Sequence, residues 1–251
     1  MTNPWPMKDD LFMPNLPDAI ILCGGAGTRL RSVTGDGPKS MATVGGRPFL
    51  ELLLRQLRRH GFQRVILAVG YRQDVIRAHF GERALGLDLA YSPEASPLGT
   101  GGALRNAADL VRSDIALIMN GDSYMDVNLS ELVAEHRSAQ ADLSLVVISP
   151  DGRGDCGSVY ANQQGYVEQF AEKQSQSGAP YVNAGIYIVA RSLLRDVPAA
   201  VPVSLEQELF PRWLQDGHRL KAFVSARRCI DIGTPDRYQS AQDILAAVER
   251  E

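Results

Sequence analysis

The sequence predicts an α/β fold with a mostly parallel central sheet, and three observations carry the prediction. Asp18–Cys23, Arg64–Gly70 and Ile115–Met119 are short and almost continuously apolar, the pattern of strands buried on both faces. Stretches with helical spacing separate them, which predicts βαβ units with right-handed crossovers. Gly24 follows directly on the first of these runs and Asn120-Gly121 on the last, where strands of such a sheet hand over to ligand-binding loops.

The elements follow in order. Asp18–Cys23 is bounded by Pro17 and Gly24. Pro48 opens a helix with the stripe Leu50, Leu53, Leu54 and Leu57, and Arg58, Arg59 and His60 crowd its last turn before Gly61. Arg64–Gly70 is the second strand, Gln73–Phe80 a short helix and Asp88–Ser92 a third strand. Ser92–Gly102 reads as a loop of turn formers, with a helix near Ala103–Val111 after it. Ile115–Met119 runs into Asn120-Gly121-Asp122. A helix near Leu129–Ser138 and the strand Leu143–Ile148 come next. Ser158–Ala161 and Tyr166–Phe170 read as a hairpin across Asn162–Gly165. Val182–Ala190, two helical stretches, Leu220–Val224, Cys229–Gly233 and a helix from Pro235 complete the chain.

Composition narrows the function. The chain has 251 residues, 45% apolar and 22% charged, enough to bury a core without staples. A net charge of -3 offers no broad basic face to a nucleic acid. Three scattered cysteines predict neither a disulfide framework nor a zinc site and point to a reducing cytoplasm. Residues 1–17 hold four prolines and no apolar span, which predicts a flexible N-terminal arm, with no signal peptide and no membrane segment.

The chemistry concentrates in Gly24-Gly25-Ala26-Gly27-Thr28-Arg29, closed by Pro38-Lys39. Glycines let backbone N–H groups approach a phosphate, Arg29 adds a planar fork of donors and Lys39 a point charge. Leu30 stands where a dinucleotide fingerprint needs its third glycine, and Pro38 separates Gly37 from the lysine of a would-be P-loop. Neither of those grips fits; a plain tight turn stays open. Asp122 and Asp231 both leave short apolar strands, where two carboxylates beside a phosphate loop suit magnesium, although such acids also cap helices. Glu172, Lys173 and Asn183 suggest a second, phosphorylated and hydroxylated ligand, against a reading as a solvated pair and a polar strand residue. Glu206 and Glu208 read as a capped helix start. No nucleophile constellation stands out, Ser123 lying in G-D-S-Y rather than a nucleophile elbow.

Taken together, L-C-G-G-A-G-T-R-L, P-K-S-M, L-G-T-G-G-A-L, N-G-D, E-K, N-A-G-I-Y and D-I-G-T-P resemble, in content and order, the sugar-1-phosphate nucleotidyltransferases (nucleotide-sugar pyrophosphorylases). Within that family, G-R-P-F-L-E, V-G-Y-R and P-L-G-T-G-G-A resemble the D-glycero-α-D-manno-heptose 1-phosphate guanylyltransferases. Two positions depart from the pattern: Cys23 replaces the usual alanine, and Gln174 replaces the proline that commonly follows E-K.

The resemblance implies a Rossmann-like sheet flanked by helices, with a small β-hairpin insertion on the sugar side. It implies one domain over 18–251, nucleotide-binding to about 125 and sugar-phosphate-binding beyond. The sugar phosphate would attack the α-phosphorus of a nucleoside triphosphate with Mg2+, releasing pyrophosphate. In that scheme Arg29, Lys39 and Asp122 are catalytic, and Asp122 and Asp231 hold the metal. Leu22, Gly24, Gly25, Gly27, Thr28, Glu94, Gly99 and Thr100 bind the nucleotide; Gly157, Glu172, Lys173 and Asn183 bind the sugar phosphate. Glu94 can accept from both N1–H and the 2-amino group of guanine, which favours GTP. Mannose 1-phosphate with guanine, glucose 1-phosphate with uracil or thymine, a silent nucleotide-sugar sensor, a guanylyltransferase for a non-sugar phosphate, and a homo-oligomer all stay open.

Overall fold

The computed structural model describes residues 16–150, 156–171, 179–227 and 229–248. In chain order its main strands are β1 (Asp18–Leu22), β2 (Arg64–Val69), β3 (Leu87–Pro93), β4 (Ile115–Asn120), β5 (Ser123–Met125), β6 (Leu143–Ile148), β7 (Ser158–Ala161), β8 (Val167–Ala171), β9 (Tyr181–Ala190), β10 (Leu220–Val224) and β11 (Cys229–Asp231). The main helices are α1 (Phe49–Arg59), α2 (Gln73–Phe80), α3 (Gly99–Ala107), α4 (Leu129–Ala139), α5 (Arg191–Arg195), α6 (Phe210–Gln215) and α7 (Pro235–Val248). No helix of the described residues is long and apolar enough to cross a membrane.

Strands β3, β2, β1 and β4 lie side by side in that order, all parallel. β9 runs antiparallel beside β4, and β6 and β10 continue the sheet beyond it. The chain winds outward from β1 to β3 on one side and returns to β4 on the other. The β1/β4 boundary is therefore a topological switch point, where a crevice opens at the carboxyl ends of the strands. β1, β2 and β4 are buried on both faces: Ala19 and Ile21 share a core with α1, α2, α4 and α7, and Ile20 shares one with α3, α5 and α6. Leu16, inside the stretch expected to be a free arm, packs against the first of these cores.

Helix α1 follows its sequence. Pro48 precedes it, Phe49, Leu50, Leu53, Leu54 and Leu57 are buried along one stripe, and Arg58 and Arg59 occupy the negative end of its dipole. Helix α3 departs from expectation. It starts at Gly99, four residues before Ala103, so the glycines expected in a loop form its first turn. The reason is packing against the segment 201–209. A Cβ at Gly101 would lie 2.6 Å from Leu209 Cδ1, and one at Gly102 2.7 Å from the Val201 carbonyl oxygen. The amides of Gly101 and Gly102 both donate to the Val203 carbonyl, at 2.9 and 3.2 Å.

The β7–β8 hairpin turns across Asn162–Gly165 as expected. It also joins the main sheet, because Ser158 and Val159 pair with Val182 and Tyr181 of β9. A bulge in β9 between Asn183 and Tyr187 centres on Gly185, at φ +77°. A separate two-stranded ribbon pairs β11 antiparallel with β5 and sets Asp231 opposite Ser123.

Candidate active site

A cleft of about 640 Å³ opens at the carboxyl ends of β1 and β4, where the topology puts the crevice. Leu22, Cys23, Gly24 and Gly25 form one wall, Asn120, Gly121 and Asp122 the next, and Glu94–Pro97 with Gly99 and Thr100 the third. Two glycines bring these loops together. The Gly121 amide donates to the Leu22 carbonyl at 3.0 Å, and there is no room for a Cβ between them. A Cβ at Gly70 would lie 3.1 Å from the Gly24 carbonyl oxygen, so the loops after β1 and β2 meet backbone to backbone.

Lys39 and Asp122 line this crevice, and Asp231 lies beside them, outside the lining residues. Lys39 Nζ donates to Asp122 Oδ2 in a partly buried ion pair. Asp231 comes alongside through the β5–β11 ribbon, where the Ile232 amide donates to the Asp122 carbonyl at 3.0 Å. Its Oδ1 accepts from the Gly233 amide at 2.5 Å and its Oδ2 from Arg237 Nη1 at 3.4 Å. The structure thus brings together Lys39, Asp122 and Asp231, which the sequence reading assigned to one site. Two carboxylates on neighbouring strand ends are hard oxygen donors of the kind Mg2+ takes alongside substrate phosphates, so the residues present fit that ion.

The glycines of the first loop divide by cause. Gly27 sits at φ +57°, and a Cβ there would lie 2.9 Å from Lys39 Cβ, so the fold itself requires it. Nothing lies within 4 Å of a Cβ built at Gly25, which is exposed on the cleft wall. Thr28 and Arg29 are exposed on the same loop and lie outside the residues lining the cleft. Cys23 is buried in the wall; burial pushes its thiol up to about 12, with Ser40 opposing and the Asp122 charge adding.

On the third wall, Glu94 Oε2 accepts from the Leu98 amide at 2.9 Å. Its Oε1 faces Gly24, where a Cβ would approach it to 3.0 Å. Burial raises the Glu94 carboxyl above its ordinary value, and the Leu98 bond partly offsets this. Gly99, at φ +69°, and Thr100 line the cleft, and a Cβ at Gly99 would lie 2.6 Å from the Val203 carbonyl oxygen.

On the other side of β4, the carbonyl of Gly157 accepts the Asn183 amide at 2.8 Å, which brings these two expected sugar-side residues together. Asn183 Nδ2 donates to the Tyr187 hydroxyl at 2.7 Å, and Asn183 Oδ1 accepts from the Gly185 amide at 3.1 Å. Glu172 and Lys173 lie outside the described residues. Sequence reasoning passed over Asn120 and Tyr71, both lining the cleft. The Tyr71 hydroxyl donates to Asp36 at 2.5 Å, and the Arg31 guanidinium lies 5.2 Å from its ring, which ties the far end of the glycine loop to the β2 loop. Its only sequence signal was the V-G-Y-R motif.

The nucleotidyl transferase family model matches residues 18–247. The chain belongs to that family. It is 35% identical over 226 residues to the D-glycero-alpha-D-manno-heptose 1-phosphate guanylyltransferase of Campylobacter jejuni, covering 88% of this chain and 96% of that protein. It is 38% identical over 234 residues to a mannose-1-phosphate guanylyltransferase of Mycobacterium tuberculosis; that match covers 92% of this chain and 65% of the longer mycobacterial protein. Among solved structures, HddC from Yersinia pseudotuberculosis complexed with GMP-PN superposes with a TM-score of 0.79 at 32% identity, over 92% of this chain and all of HddC. The resemblance read from the motifs is thus borne out, and the sheet described above is the Rossmann-like sheet of this nucleotidyl transferase family.

Proposed function

We propose that this nucleotidyl transferase moves GMP from GTP to a sugar 1-phosphate, D-glycero-α-D-manno-heptose 1-phosphate, in a magnesium-dependent reaction. The observation that carries the reading is the convergence of Lys39, Asp122 and Asp231 beside a glycine-walled cleft at the strand ends. The 35% identity to a heptose 1-phosphate guanylyltransferase over almost its whole length supports the sugar, and GMP-PN in HddC supports the base. A phosphate oxygen of the sugar 1-phosphate attacks the α-phosphorus, the bond to the β-phosphate bridging oxygen breaks, and pyrophosphate leaves. Such a transfer asks for positioning and charge stabilisation rather than a covalent intermediate. Lys39 meets the charge of the reacting phosphates, Glu94 Oε1 accepts from guanine, and Asn183 and Gly157 face the sugar side. Asp122 and Asp231 hold the ion, which when bound offsets repulsion between the two anionic substrates.

The 38% identity to a mannose-1-phosphate guanylyltransferase favours mannose 1-phosphate as the second reading. A grid of the common nucleoside triphosphates against heptose, mannose and glucose 1-phosphates, read by pyrophosphate release with Mg2+, separates them. Fastest release with GTP and the heptose phosphate is expected. Faster turnover with mannose 1-phosphate replaces the sugar, and release only with UTP or TTP overturns the base.

A further inference from the structure

Glu206 does more than stand in a capped helix start. It sits in the π-type turn Leu205–Leu209 ahead of α6. Ser204 and Glu208 supply the cap expected there: the Ser204 hydroxyl accepts the Gln207 amide at 3.0 Å, and the Ser204 amide donates to Glu208 Oε1 at 2.9 Å. Glu206 turns inward instead. Its Oε2 accepts from the Thr100 hydroxyl at 2.7 Å and from the Ser204 hydroxyl at 3.3 Å, and its Oε1 accepts from the Tyr187 hydroxyl at 3.4 Å. Single-turn π segments recur at functional sites.

A carboxylate only accepts, so every hydrogen bond in this chain has a set direction. Tyr187 gives its proton to Glu206 and must accept from Asn183 Nδ2, which leaves Asn183 Oδ1 for the Gly185 amide. On the other side Thr100 gives its proton to Glu206 and accepts the Leu205 amide at 2.8 Å. The Tyr187 side chain is fully buried, where such a network is stiff and costly to leave half-made. Thr100 lies in the nucleotide wall, and Asn183 lies beside Gly157 on the opposite side of β4.

We propose that Glu206 is a positioning residue that holds Thr100 and Asn183 in register, so that nucleotide and sugar phosphate each strengthen the other's binding. This rests on the reading of the cleft as a nucleotidyl transfer site. Coupling between two sites is reciprocal and is measured as a ratio of affinities. The test titrates D-glycero-α-D-manno-heptose 1-phosphate into the full chain with and without saturating α,β-methylene GTP, for wild type, Glu206→Gln and Tyr187→Phe. Thermal melts check that each protein is folded. In wild type the nucleotide tightens the sugar phosphate by about fivefold or more, and in both variants that ratio falls below about twofold. Tyr187→Phe keeps every charge and stands in if Glu206→Gln does not fold. Folded variants with the wild-type ratio overturn the proposal. A wild-type chain that binds neither ligand overturns the transfer reading itself, which distinguishes the two failures.

Discussion

Lys39 and Asp122 form an ion pair, and both line the cleft. On the proposed reading, a triphosphate entering there would take the lysine as its counter-charge and free the carboxylate for a cation. Lys39→Ala and Asp122→Asn should each lower turnover by ~10²–10³-fold, the scale of losing one preorganised charge partner, as read by steady-state pyrophosphate release. Gly25 makes a cleaner case, because its Cβ position is open and the fold makes no demand on it. Gly25→Ala should leave the melting temperature unchanged and raise the KM for GTP, the sign of a glycine kept for a ligand's approach. A stability loss with unchanged KM would assign Gly25 to the fold. Cys23 should resist iodoacetamide at neutral pH, since burial holds its thiol protonated up to about 12.

At the scale of elements, the glycine-rich start of α3 belongs to the packing of the helix as much as to the ligand. Gly99→Ala puts a Cβ 2.6 Å from a backbone oxygen at a positive φ, and should cost on the order of 2–4 kcal/mol in denaturant unfolding. Helix α4 carries a different signature. His136 is buried on it with its Nδ1 2.9 Å from the Ser144 hydroxyl of β6, and burial, helped by Arg137 and opposed by Asp142, lowers its imidazole to about 4. The fold keeps His136 neutral while the unfolded chain protonates it near 6.5, so its contribution is complete above pH 6.5 and is lost as pH falls towards 4. Denaturant midpoints at pH 7, 5.5 and 4 should fall more steeply for wild type than for His136→Gln.

What was legible at this scale follows from range. Helix α1 was readable end to end because its cap, stripe and basic last turn are local. The start of α3 was not, since glycine argues against helix and the contact that demands it comes from residues 201–209. Glu206 lies in the capped start as read, and its inward bonds stayed hidden for a similar reason. Ser204 and Glu208 satisfy the local cap pattern, while its partner Thr100 lies 106 residues away.

Across the whole molecule, the parallel order β3-β2-β1-β4 carries the site; that these strands run parallel was legible from buried runs separated by helices, while their order was not. Asp122 and Asp231 were readable as strand-end acids and expected to share a site, but the pairing of β11 with β5 that sets them side by side was not readable. Lys39 was likewise read as a phosphate ligand, with nothing in the sequence to reveal its bond to Asp122.

The most direct test of the account follows both products at once, in reactions of the full chain with GTP, D-glycero-α-D-manno-heptose 1-phosphate and Mg2+. Pyrophosphate and GDP-heptose should form in equal amounts, and release should stop on adding EDTA and fall sharply in Asp231→Asn. Binding of GTP without either product, across every sugar 1-phosphate tried, would contradict the account and leave a nucleotide-binding protein without transfer.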